Sequence, residues 1–93
     1  MTREELLEES KKCVLKERQN TYGPPEDSFK VIAAYWSVYL SQALQAEVKL
    51  ESLDVAMMMG LLKTARIHNA PTHVDNFVDL IGYAACGGEI ATR

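Results

Sequence analysis

Two carboxylates four residues apart, Asp75 and Asp79, stand in the stretch HVDNFVDL. On a helix an i,i+4 pair of acids shares one face, and an exposed like-charged pair costs roughly a few tenths of a kcal/mol. A divalent cation would turn that cost into binding energy. A plainer account is that acids in a first helical turn are favoured by the helix dipole. It suits Asp75 better than Asp79, which lies more than one turn in. A second acidic pair, Glu51 and Asp54, precedes the apolar run VAMMMGLL. Asp54 heads the helical line Met58, Leu61, Ala65, so it either sits in a cap region or points into a polar pocket. Glu51 and Asp54 on one helix, facing Asp75 and Asp79 on another with Asn76 beside them, would offer the hard oxygen ligands that Mg²⁺ takes.

Basic residues accompany these acids. Lys63 and Arg66 lie in the otherwise apolar stretch MMMGLLKTAR. One account has them snorkelling at a helix end and complementing its dipole. The other has them meeting phosphate, Arg66 with a forked guanidinium and Lys63 as a point charge. Between the first two helical runs lies RQNTYGPPEDSF, with a basic residue, a Tyr-Gly turn, two prolines and two carboxylates. Gly23 lets the backbone take a positive φ, and Pro25 suits a helix start. Tyr22 either plugs the end of a bundle or lies against a ligand, with Arg18 and Lys30 flanking the turn.

Other chemistries find little support. His68 and His73 have no cysteine near them in sequence and make no zinc signature. Cys13 and Cys86 form no CxxC pair and read as buried thiols of a reducing compartment. Cys86 has no evident histidine partner for nucleophilic catalysis. No phosphate-cradling glycine motif of the P-loop or dinucleotide type occurs. The net charge of −3 argues against a nucleic-acid partner, which wants a basic stripe. The longest apolar run is too short to span a membrane.

These side chains need elements to hold them, and the apolar pattern supplies helices. A chain of 93 residues is expected to form one domain, here residues 1–93. Helices are expected at about 3–19, 28–45, 53–67 and 74–91. Thr2 with Glu5 makes a capping-box pattern for the first. Phe29, Ile32, Ala33, Trp36 and Leu40 make a 3.6-residue stripe on the second. Ser52 is the expected cap of the third, which is apolar nearly all round and so expected to be central. Thr72 is the expected cap of the fourth, whose glycines suggest close helix approach. Strand signals are weak. The fold class is therefore all-α, a four-helix bundle-like domain. Its 47% apolar composition on so short a chain suggests completion by a second copy; the plainer alternative is a compact monomer.

The order KERQNTYGPPEDSF, IAAYWS, DVAMMMGLLKTAR, HVDNFVDLIGYAA resembles a family of small phage and prophage proteins, over about residues 14–89. It is more distantly similar to the all-α nucleoside triphosphate pyrophosphohydrolases, the MazG-like and dimeric dUTPase superfamily. Those enzymes carry an E-x-x-E element and then an E-x-x-D element on two helices. Glu51-x-x-Asp54 stands for the first and Asn76-x-x-Asp79, helped by Asp75, for the second. Asp54 replaces a glutamate, and Asn76 sits where a carboxylate is expected. The resemblance implies Mg²⁺ held by Glu51, Asp54, Asp75 and Asp79, with Asp54, Asp79 and Lys63 catalytic. Arg18, Tyr22, Gly23, Lys30, Lys63, Arg66 and Asn76 would contact a nucleotide. It further implies a homo-oligomer, dimer or tetramer, in the cytoplasm of a bacterium or phage-infected host. The alternative is a non-catalytic phage accessory or protein-interaction module with the same fold.

Overall fold

A computed structural model describes residues 1–16 and 20–93. The element order is α1 (Arg3–Lys12), a π-helical stretch (Cys13–Glu17), α2 (Arg18–Tyr22), α3 (Pro25–Leu44), α4 (Ser52–Asn69) and α5 (Val74–Ala91). The fold is all-α and bundle-like, and no strand occurs among the described residues.

α1 starts as its sequence predicts. Thr2 Oγ1 accepts from the Glu5 N–H at 3.2 Å, and Glu5 Oε1 accepts from the Thr2 N–H at 3.1 Å. This reciprocal capping box satisfies two otherwise orphaned donors. The expected single helix over 3–19 is instead interrupted by the π-helical stretch. Such wide turns are rare and frequently mark functional sites. Here Val14, on the π stretch, packs onto α5 at Gly82, where a Cβ would lie 3.2 Å from Val14 Cγ2.

Gly23, at φ 79°, turns the chain from α2 into α3. α3 then begins at Pro25, three residues earlier than expected. The ring fixes φ near the helical value, and the missing N–H belongs to a position without an intrahelical partner. Glu26 and Asp27 in that first turn suit the dipole. At the far end Gln45 caps α3 in the left-handed region. The chain then returns along α3, held by serine side chains. Ser41 Oγ accepts from the Val48 N–H at 2.9 Å, and Ser37 Oγ accepts from the Leu50 N–H at 2.8 Å. These hydroxyls meet backbone groups that have no ladder of their own.

α4 and α5 form an antiparallel hairpin. Two contacts set its register: Lys63 meets Asp79, and a Cβ on Gly87 would lie 3.2 Å from Ala56 Cβ. The cap of α4 is Glu51, not the expected Ser52. Asp54 Oδ2 accepts from the Glu51 N–H at 2.8 Å, while Ser52 Oγ donates to the Glu26 carbonyl at 3.3 Å and ties α4 to α3. The expected cap at Thr72 is also displaced: His73 occupies the N-cap of α5.

The core joins Phe29 and Ala33 of α3, Val55 and Ala56 of α4, and Tyr83 and Cys86 of α5. Burying one large apolar side chain contributes about 1.5–3 kcal/mol. Phe29 and Tyr83 pack as tilted rings 6.1 Å apart, and Trp36 packs against the same cluster. α4 is less central than its sequence predicts. It buries one side, while Met58, Leu61 and Leu62 lie outward and half-exposed Met57 reaches α5 at Gly87. Among the described residues no helix is long and apolar enough to cross a membrane.

Candidate functional site

Lys63 faces the protein interior. Its side chain does not snorkel to solvent: the residue is only 7% exposed, and its Nζ lies 2.9 Å from Asp79 Oδ2. Removing an ammonium from water costs several kcal/mol unless an opposite charge meets it. Asp79, over one turn into α5 and opposite Lys63 in the hairpin, supplies that charge. Its side chain keeps some solvent contact, so the pair sits at an edge with one oxygen-bearing group accessible.

That edge borders a cavity of about 170 Å³. α1 and the π stretch contribute Ser10, Cys13 and Val14; the turn contributes Tyr22 and Gly23. α3 adds Pro25, Ser28, Phe29 and Ile32, α4 adds Met59, and α5 adds Val78, Asp79, Gly82, Tyr83 and Cys86. The wall is mainly apolar, with hydroxyls, thiols and one carboxylate around it. A space of about 150 Å³ accommodates a benzene-sized ring. This cavity therefore has room for one planar ring, with polar atoms near enough to address its edge. Tyr22 stands at the rim, 67% exposed. It lines an opening and does not plug the bundle.

The structure brings together some of the sequence-predicted site residues and separates others. Tyr22, Gly23 and Asp79 line one cavity, and Lys63 joins them through Asp79. Asp54 lies elsewhere. It is nine residues before Lys63 on the same helix, about 13 Å along the axis at 1.5 Å per residue, and its carboxylate is engaged at the Glu51 backbone. Asp75 is at the turn end of the hairpin, solvent-exposed, 3.8 Å from His73 Nε2. The antiparallel register puts it about 20 Å along the axis from Asp54. Among the described residues no three His, Cys, Asp or Glu side chains are placed to hold a metal ion. Among the described residues Glu51, Asp54, Asp75 and Asp79 of one chain do not converge into the expected Mg²⁺ pocket, because Asp54 is engaged at the start of α4 and Asp75 lies exposed at the far, turn end of the hairpin. Lys30 and Arg66 are exposed, and Asn76 is buried in the first turn of α5 without lining the cavity. Arg18 lies outside the described residues.

Sequence reasoning missed Ser10, Ser28, Cys13 and Cys86 as cavity residues. Ser10 and Cys13 share one face of the first helical run with Val14. The missing signal was the π-helical stretch, which the apolar period does not reveal. Cys86 is buried and Cys13 half-buried, both as thiols.

A family described as a domain of unknown function, DUF6378, matches residues 5–91. The Gene 55 protein of Mycobacterium phage D29 is 40% identical over 83 residues, covering 89% of this chain and 51% of that protein. The Gene 55 protein of Mycobacterium phage L5 is 33% identical over 79 residues, covering 85% of this chain and 47% of that protein. The chain spans about half the length of these curated relatives. No solved structure gives a significant match.

Proposed function

The chain belongs to the DUF6378 family together with phage proteins, and from that premise we propose that it acts on a nucleotide, with the base in the cavity and the phosphates toward the Lys63–Asp79 edge. One observation carries this reading: an ion pair that is largely out of solvent adjoins a ring-sized apolar cavity. Ligand sites commonly combine an apolar wall with a few polar groups that fix orientation. Ser10 and Ser28 are suited to the polar edge of a base, and Phe29, Ile32 and Val78 to its faces. Lys63 adds positive charge shared between Asp79 and an arriving phosphate.

The resemblance to the all-α pyrophosphohydrolases makes the reaction class hydrolysis of a nucleoside triphosphate to monophosphate and pyrophosphate. The separation of Asp54, Asp75 and Asp79 does not fit Mg²⁺ bound by one chain, so the binding step is what the geometry supports. The test is calorimetric titration of the full chain with nucleosides and nucleoside triphosphates, alongside a pyrophosphate-release assay with Mg²⁺. One base is expected to bind both as nucleoside and as triphosphate. Tyr22→Ala should weaken both about tenfold, roughly 1.4 kcal/mol, without altering helicity. Asp79→Asn should abolish any pyrophosphate release. Failure of every nucleoside and nucleotide to bind at millimolar concentration would end the proposal.

A further inference from the structure

We propose that a second copy of this chain seats on the outward face of α4, across a two-fold axis near Leu61. This goes beyond the nucleotide reading and does not depend on it. The chain exposes 6693 Å². A compact monomer of its 10.4 kDa mass exposes roughly 5,400 Å². The surplus of about 1,300 Å² exceeds the roughly 800 Å² that each partner contributes to a standard protein interface. The radius of gyration agrees: 14.4 Å against roughly 12 Å for a compact chain of this length.

The surplus has an apolar seat. A helix that is hydrophobic all round is normally buried all round, yet α4 leaves Leu61 69% and Met57 47% exposed. The outward face runs Asp54, Met57, Met58, Leu61, Ala65, His68, and every one of these residues is exposed. It is apolar in the middle, with an acid at its N-terminal end and an imidazole at its C-terminal end. Leu61 stands midway between Asp54 and His68 in sequence.

That order is self-complementary. A two-fold interface places the same patch on both sides, so residue i meets j and j meets i. With two α4 helices antiparallel about Leu61, the methionines and leucines of one copy cover those of the other, and each Asp54 comes opposite His68 of the second copy. The opposed helix dipoles are also favourable. The outer face of α3 also exposes Val31, Tyr35, Val38 and Tyr39, but α3 has acids in its first turn and no basic residue in its last, so an antiparallel pairing there sets no opposite charge against them. The cavity is reached from the other side of α4, where Met59 lines it, so assembly leaves it open.

Analytical ultracentrifugation of the full chain over the micromolar range tests the inference. The expected species has twice the chain mass. Leu61→Glu should weaken association at least a hundredfold and give a helical monomer by circular dichroism. Tyr35→Glu, on α3, should leave the dimer intact. If Leu61→Glu unfolds the chain, Ala65→Arg at the edge of the same face provides the decisive variant, with the same expected loss. A monomeric parent chain, a dimer untouched by the folded α4 variant, or a dimer dissociated by Tyr35→Glu would each overturn the proposal.

Discussion

The two ends of the α4–α5 hairpin begin from similar letters and finish in different work. Glu51-x-x-Asp54 opens α4, and Asn76-x-x-Asp79 lies in the first turns of α5. At the first, the Asp54 carboxylate meets a backbone N–H and stays exposed. At the second, Asp79 lies beyond the terminal turn, where no orphaned N–H competes for it, and meets buried Lys63. An acid within three residues of a helix start is drawn to the backbone. An acid one turn deeper can serve another element. Depth within the helix, more than the spacing of the acids, separates a cap from an acid that pairs across the fold.

The sharpest test of that contrast is the Lys63–Asp79 pair. Lys63→Ala should remove the ammonium that meets the partly desolvated Asp79 carboxylate. Breaking a fully buried pair costs about 3–5 kcal/mol, and the residual solvent contact of Asp79 brings the expected loss down to about 2–3 kcal/mol. Replacing both residues together, Lys63→Met with Asp79→Leu, should recover most of it, since an apolar pair of similar volume is often neutral. Urea denaturation of the single and double variants measures this. Equal, additive losses would show that the two side chains do not act as a pair.

At the other end, Asp54→Ala should cost about 1 kcal/mol, the usual value of a lost cap. Nucleoside binding in the cavity should not change. The comparison breaks if Asp54→Ala leaves stability intact but removes ligand binding or pyrophosphate release. The acid would then belong with Asp79 in one site, joined through another copy of the chain.

Much of the architecture was legible because it rests on local rules. The Thr2–Glu5 capping box, the positive φ at Gly23, the close approach at Gly82 and the bounds of α5 all follow from residue type and short-range spacing. The candidate site was legible only in part. Helical periodicity placed Asp54 and Asp79 on faces, but not which helix ends would be adjacent in an antiparallel hairpin. It also gave Lys63 two readings, snorkelling or phosphate contact. The third outcome, pairing inside the fold, depends on α4–α5 register. The π-helical stretch that carries Cys13 and Val14 to the cavity leaves no mark on a 3.6-residue pattern. Met57, Met58 and Leu61 belong to a helix expected to be central because its residues are apolar nearly all round; a single chain leaves them exposed.

The smallest expected effect belongs to the exposed counterpart of the Lys63 pair. Arg93, just beyond α5, meets Glu26 in the first turn of α3, near the capped start of α4. Both partners keep substantial solvent contact, and such pairs contribute little because solvent screens them. The hydrogen bond from Arg93 holds the Glu26 carboxyl below its ordinary value of 4.5, with a backbone hydrogen bond acting in the same direction. A depressed carboxyl pKa stabilises the fold above the ordinary value, and that contribution is lost as the pH falls through the folded-state value. Arg93→Ala should therefore lower the melting temperature slightly and by a constant amount near neutrality. The gap between variant and parent should close under acid, below pH 4.5. If it instead widened as the pH fell, the ionised Glu26 carboxylate would not be the group that Arg93 stabilises. A gap as large as that of Lys63→Ala would mean that burial does not set the strength of ion pairs in this fold.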